Sequence, residues 1–189
     1  MSFDPAVAFI ARSREYLSNE YLPKIRACVG RLSDEELWSR PNEASNSVAN
    51  LLLHLAGNLR QWIVSGVGGA PDTRARDAEF ATRGGLGRGE LLAALEASVA
   101  EADAILAALP AERLAEQRLV QQQDVTVLDA IYHAVEHFAG HTYQIAYITK
   151  ATTGEDLGFY RLRGGVPEPS WPPGGRATRR GWQRAEGDA

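Results

Sequence analysis

Residues 126–154 read TVLDAIYHAVEHFAGHTYQIAYITKATTG, and this stretch decides the fold. Thr126-Val127-Leu128-Asp129 opens a helix with a cap residue and an acid in the first turn, and Gly154 suits the left-handed residue that ends one. Between them Val127, Ile131, Val135, Phe138 and Ile145 recur at helical spacing and form an apolar stripe. His137 and His141 run along one flank of that stripe, because every fourth residue returns to within about 40° on a helix. His133 lies about 80° from His141 and about 12 Å away along the axis, too far to share an ion with it. It is better read as a rim residue that supports the site or contacts substrate.

The same periodicity organises the rest of the chain. A helix is expected over about 4–31, kinked at Pro23, and Ser33-Asp34-Glu35-Glu36 is a capping-box pattern opening a short helix before Pro41. A second long helix is expected from about Ser47 to Ser65, closed by Gly66, Gly68 and Gly69. A long connection follows, containing Pro71-Asp72-Thr73-Arg74-Ala75-Arg76 and Glu79-Phe80. A third long helix is expected over about 89–109, ending at Pro110. No strand alternation persists, so the chain reads as all-α: four main helices with one long crossover, a four-helix bundle. The bundle is assigned to residues 1–162. Residues 163–189, rich in Pro, Gly and Arg, are expected to be a flexible tail, with Trp171 and Trp182 as the features that could order it against a partner.

Composition narrows the function classes. A charged fraction of 23% and a hydrophobic fraction of 44% are ordinary for a globular domain. A net charge of −4 argues against general affinity for nucleic acid or anionic membrane. Residues 161–189 carry six Arg against three acids, or +3, leaving −7 on residues 1–160. The single cysteine, Cys28, excludes an internal disulfide and fits a reducing cytoplasm. Asp4 and Arg12 interrupt any N-terminal signal region, and no apolar run reaches the roughly 20 residues of a membrane span.

The chain has four histidines, and the fourth is His54. Two histidines of one helix and a third from a neighbouring helix would give a three-nitrogen divalent-metal site with open coordination positions. His54 shares a line with Ser47, Asn50, Asn58 and Gln61, while the apolar residues Val48, Leu51, Leu55, Leu59 and Trp62 occupy another face. That line reads two ways. It is either a solvated polar stripe or, since it holds no Lys or Glu, the lining of an internal polar cleft. For His137 and His141 the plain alternative is a pair of hydrogen-bonded core histidines. The pair stands as His137-Phe138-Ala139-Gly140-His141, with no Glu beside the first histidine, so a zincin-type peptidase is unsupported. Glu136 projects about 100° from His137 and reads as an exposed residue. Arg74 and Arg76 carry the fork geometry that could hold a carboxylate, against the plainer reading of a soluble loop.

Ser47–Trp62 (SVANLLLHLAGNLRQW) and Ala134–Lys150 (AVEHFAGHTYQIAYITK) resemble the two signature helices of the DinB-like superfamily of bacterial four-helix-bundle metalloenzymes. The loop GVGGAPDTRARDAEF and the ending DLGFY resemble one largely uncharacterised branch of it, and the likeness covers roughly residues 3–162. The resemblance implies that His54, His137 and His141 bind a divalent metal, zinc, nickel or iron. It further implies thiol-dependent transferase or isomerase chemistry with mycothiol, bacillithiol or glutathione, a small-molecule substrate, and a homodimer. The family continues after its last ligand as H-R-G-Q or H-T-G-Q. This chain has His141-Thr142-Tyr143-Gln144, so Gln144 fits while Tyr143 stands at the glycine position, where it would alter helix packing or crowd the site. Asn58 and Gln144 are expected to orient a bound water or ligand. The competing class is a non-catalytic, stress-related dimerisation bundle stabilised by metal or by buried histidines.

Overall fold

The computed structural model describes residues 3–170. The described residues divide into two compact units, the first ending at Leu157 and the second beginning at Gly158. The first is mostly helical. Asp4 caps α1 (Pro5–Glu15) by accepting from the Ala6 and Val7 amides, and the helical path continues through a π-helical turn, Tyr16–Tyr21, into α2 (Leu22–Val29). The π turn is how the helix accommodates Pro23. A proline ring clashes with the carbonyl four residues back and removes one donor. Widening the preceding turn lets the Leu22 amide reach the Leu17 carbonyl instead.

Ser33 and Glu36 form a reciprocal capping box at α3 (Asp34–Trp38). Ser47 and Asn50 do the same for α4 (Val48–Leu59), which carries on as a second π-helical stretch, Arg60–Val67. The helical path therefore passes through Gly66, which does not close it. A Cβ there would sit 2.7 Å from Val120 Cγ2, so this glycine serves close packing. The crossover contains only α5 (Arg76–Ala81), and α6 (Arg88–Ala107) follows. Thr126 and Asp129 cap α7 (Val127–Thr153), and Gly154, at φ 71°, ends it in the left-handed conformation.

Helix α4 packs against α5, α6 and α7, and α2 packs against α6 and α7. The stripe read from α4 is the core: Val48, Leu51, Leu55, Leu59 and Trp62 are buried, facing a core that includes Ile25, Leu95, Ile131 and Phe138. Each such side chain contributes roughly 1.5–3 kcal/mol through removal from water. Lys24 is buried with them. Its ammonium donates to Glu20 Oε1 at 3.0 Å and to the Tyr143 hydroxyl at 3.2 Å. Burial lowers its pKa, but those partners outweigh burial and raise it. Tyr143 is thus turned toward α2, its ring nearly perpendicular to that of Tyr21 with 6.4 Å between centroids.

The all-α expectation needs correction. The polar stretch after the 3-10 turn Ala111–Ala115 is an antiparallel hairpin, β1 (Gln117–Val120) and β2 (Gln123–Thr126). Its two-residue turn, Gln121-Gln122, places both residues at positive φ, 50° and 63°, the geometry that matches strand twist. In the second unit, β3 (Tyr160–Arg163) pairs with β4 (Val166–Pro169) around Gly164-Gly165. That hairpin spans residue 163, where the sequence placed the start of a flexible tail. The rest of that expectation, with Trp171 and Trp182, lies outside the described residues. No described helix is long and apolar enough to cross a membrane.

Cys28 is buried, and burial outweighs a hydrogen bond to Thr149 and the charge of Arg31 to push its thiol up to about 11. Because the thiolate is the reactive form, a disulfide reagent at mildly alkaline pH should label the native chain at a small fraction of the rate seen in denaturant. Equal rates would place Cys28 at the surface.

Candidate metal centre

His54 enters the site from the middle of α4, and His137 and His141 enter from successive turns of α7. One ligand atom from each of the three lies within 4.8 Å of the others. The tightest approach is His54 Nε2 to His137 Nε2, 3.0 Å. The ring centroids of His141 lie 4.5 Å from His137 and 5.1 Å from His54. Metal–nitrogen bonds of about 2.0–2.1 Å place cis nitrogens about 3 Å apart, the spacing that the His54–His137 pair already has.

The polar stripe on α4 is internal. Ser47, Asn50, His54 and Asn58 are all buried. They escape the cost of burial by pairing. Asn50 Oδ1 accepts from the Ser47 hydroxyl and from Arg40, and its amide nitrogen donates to the carbonyls of Glu79 and Thr82. Asn58 donates to His133 Nε2 at 3.3 Å, and the His133 ring lies 3.8 Å from Trp62. His133 stands beside His137, ring centroids 5.5 Å apart, outside the three-histidine group.

The outer nitrogens are held unevenly. His141 Nδ1 meets Gln144 Oε1 at 2.8 Å, so Gln144 orients a histidine. His54 Nδ1 meets Glu79 Oε2 at 2.8 Å. His137 Nδ1 is buried and has no hydrogen-bond partner among the described residues. Burial, reinforced by the adjacent His141, His54 and His133, pushes His137 down to about 3. Burial also lowers His141, outweighing its bond to Gln144, and lowers His133, outweighing the field of Glu136. These three rings are therefore neutral at ordinary pH, the state in which an imidazole binds a metal.

Sequence reasoning did not find Glu79. It comes from α5 in the crossover, where only a tertiary contact gives it a role. Arg74 does hold a carboxylate, and that carboxylate is Glu79: Nε to Oε1 is 2.7 Å and Nη2 to Oε2 is 2.9 Å. Burial raises the Glu79 pKa, but the bonds from Arg74 and His54 outweigh it and hold the carboxyl below its ordinary value. Arg76 lies over the Phe80 ring, and Glu136 is exposed.

The profile of the family described as "Protein of unknown function (DUF1572)" matches residues 6–162, which include every residue of this cluster. The chain belongs to that family. Comparison with curated proteins finds no match. Membership in the DUF1572 family carries no stated activity, so the chemistry rests on the cluster itself.

Proposed function

We propose that this DUF1572 protein is a divalent-metal-dependent enzyme built on a four-helix bundle of DinB-like type. In this reading it is a transferase or isomerase that uses a low-molecular-weight thiol on a small electrophilic substrate. The observation that carries the reading is the convergence of His54, His137 and His141 from two helices with the outer nitrogens of two rings already engaged. The donor set fits zinc, nickel or iron. Two Nε2 atoms at 3.0 Å form a hydrogen bond only if one carries a proton, whereas a cation between them would accept both lone pairs.

A bound ion would supply Lewis acidity, lowering the pKa of a thiol or water or polarising a carbonyl. The protein supplies orientation. Gln144 keeps the His141 proton on Nδ1, and Glu79 does so for His54, leaving Nε2 of each as the donor. His133 accepts from Asn58 at Nε2, so in its neutral form its own proton sits on Nδ1. Trp62 covers one face of that ring. A homodimer in the cytoplasm belongs to the same proposal.

The test is a panel of mycothiol, bacillithiol and glutathione against electrophilic acceptors. The metal-loaded chain is expected to consume at least one thiol above the buffer rate, and stripping the metal or making His137→Ala should return the rate to buffer. No rate with any thiol would count against the transferase reading and favour a metal-stabilised, non-catalytic bundle.

A further inference from the structure

The crossover could have passed over α4 without touching the histidines, yet two of its charged side chains are buried against His54. Only 10% of the Glu79 side chain and 2% of the Arg74 side chain are exposed. Arg74 grips both carboxylate oxygens, and its third nitrogen donates to Gln61 Oε1 at 2.9 Å. The backbone around Glu79 is fixed as well: Asn50 donates to the Glu79 and Thr82 carbonyls, and Arg40 donates to the Phe80 carbonyl. The approach itself requires a glycine in mid-helix. A Cβ on Gly57 would lie 2.0 Å from Glu79 Oε1 and 3.1 Å from Arg74 Nε. A glycine inside a helix costs roughly 1 kcal/mol relative to alanine, and here the missing side chain is the space that Glu79 fills.

We propose that Glu79, clamped by Arg74 in the notch at Gly57, is the positioning residue of the metal centre, fixing the His54 tautomer so that its Nε2 lone pair faces His137 and His141. This rests on the metal reading for its purpose, though the hold on the tautomer is a property of the metal-free chain. The chemistry is short. A neutral imidazole with Nδ1 2.8 Å from a carboxylate oxygen must carry its proton there, since two lone pairs at that distance repel. Arg74 Nη2 lies 3.0 Å from the same nitrogen and could donate to it only in the Nε2–H tautomer, but Nη2 also has Glu79 Oε2 as an acceptor at 2.9 Å, and the closer 2.8 Å approach of that carboxylate oxygen to Nδ1 favours the Nδ1–H form. Nε2 is then unprotonated and already aimed at the site. Loss of such an outer partner typically weakens metal binding about 10- to 100-fold.

The experiment combines nitrogen-15 NMR of the histidine rings, in the metal-free chain at mildly alkaline pH, with zinc titration. In the parent, His54 should be the Nδ1–H tautomer. In Glu79→Gln, whose amide can either accept from or donate to Nδ1, the tautomers should mix and zinc affinity should fall about 10- to 100-fold at unchanged stoichiometry. Gly57→Ala, which displaces Glu79 while retaining it, should move both readouts the same way. A merely structural strap would lower the melting temperature of these variants and leave tautomer and affinity alone. The proposal is overturned if His54 in the parent is Nε2–H, or if Glu79→Gln binds zinc within twofold of the parent. Should the parent bind no zinc while His54 is Nδ1–H, the metal reading fails and the hold of Glu79 on His54 stands. Because the parent's own tautomer decides that hold, a variant that fails to fold does not shield it.

Discussion

Arg74→Ala is expected to destabilise the chain by about 3–5 kcal/mol, the usual consequence of removing one partner from a buried ion pair. The cause is desolvation. With Arg74 gone, the Glu79 carboxylate stays almost out of water and keeps only His54 as a side-chain donor. Water reaching the carboxylate through a loosened crossover would bring the loss toward the lower figure. Urea unfolding checks it: the midpoint should drop with little change in slope. Arg60→Ala is the internal comparison. Its partner Glu101 is also a glutamate, but both side chains are nearly half exposed, so the expected loss is below about 1 kcal/mol. Adding Glu79→Gln to Arg74→Ala should recover part of the deficit, since a neutral amide is less costly to bury than a lone carboxylate. An Arg74→Ala loss no larger than that of Arg60→Ala would mean that Glu79 is not buried as described.

His137→Ala is expected to weaken divalent-metal binding at least a hundredfold, equivalent to about 2.8 kcal/mol or more. His137 is the histidine closest to His54, and its Nδ1 has no hydrogen-bond partner among the described residues. Its removal therefore takes away a donor from the metal while relieving an unsatisfied buried nitrogen, so metal-free stability should change far less than affinity. The two effects separate in one pair of measurements. Zinc at a hundredfold excess over its dissociation constant should stabilise the parent by about 2.7 kcal/mol, and the same zinc should leave His137→Ala nearly unshifted. Equal zinc-dependent shifts in the two chains would place the metal elsewhere.

How much of this was legible in the sequence depended on whether the cause was local. Helix starts at Ser33, Ser47 and Thr126 and the stop at Gly154 were readable because capping chemistry is settled within four residues. The α7 pair His137 and His141 followed from helical spacing alone. His54 did not: its stripe of amides fits water or a cleft equally well, and only the crossover closing over α4 makes it internal. Glu79 was illegible for the same reason, since its partners are 25 and 5 residues away and meet it through the fold. Gly57 was the available signal, a mid-helix glycine beside the polar stripe whose only evident use is to admit a neighbour. The hairpin at Gln117–Thr126 escaped because Gln-Gln is not a preferred pair for a turn with positive φ at both positions. Gly164-Gly165 did carry that signal, but β3 and β4 are almost wholly exposed and present no hydrophobic alternation to go with it. Tyr143 was expected to alter helix packing or crowd the site, and its contacts are with Lys24 and Tyr21.

The central claim is that His54, His137 and His141 together hold one divalent ion. Calorimetric titration of zinc into the metal-stripped chain tests it most directly, run beside His54→Ala, the ligand contributed by the other helix. The parent should bind one ion per chain, and His54→Ala should lose that binding. No saturable binding in the parent, or the same isotherm in both chains, would contradict it.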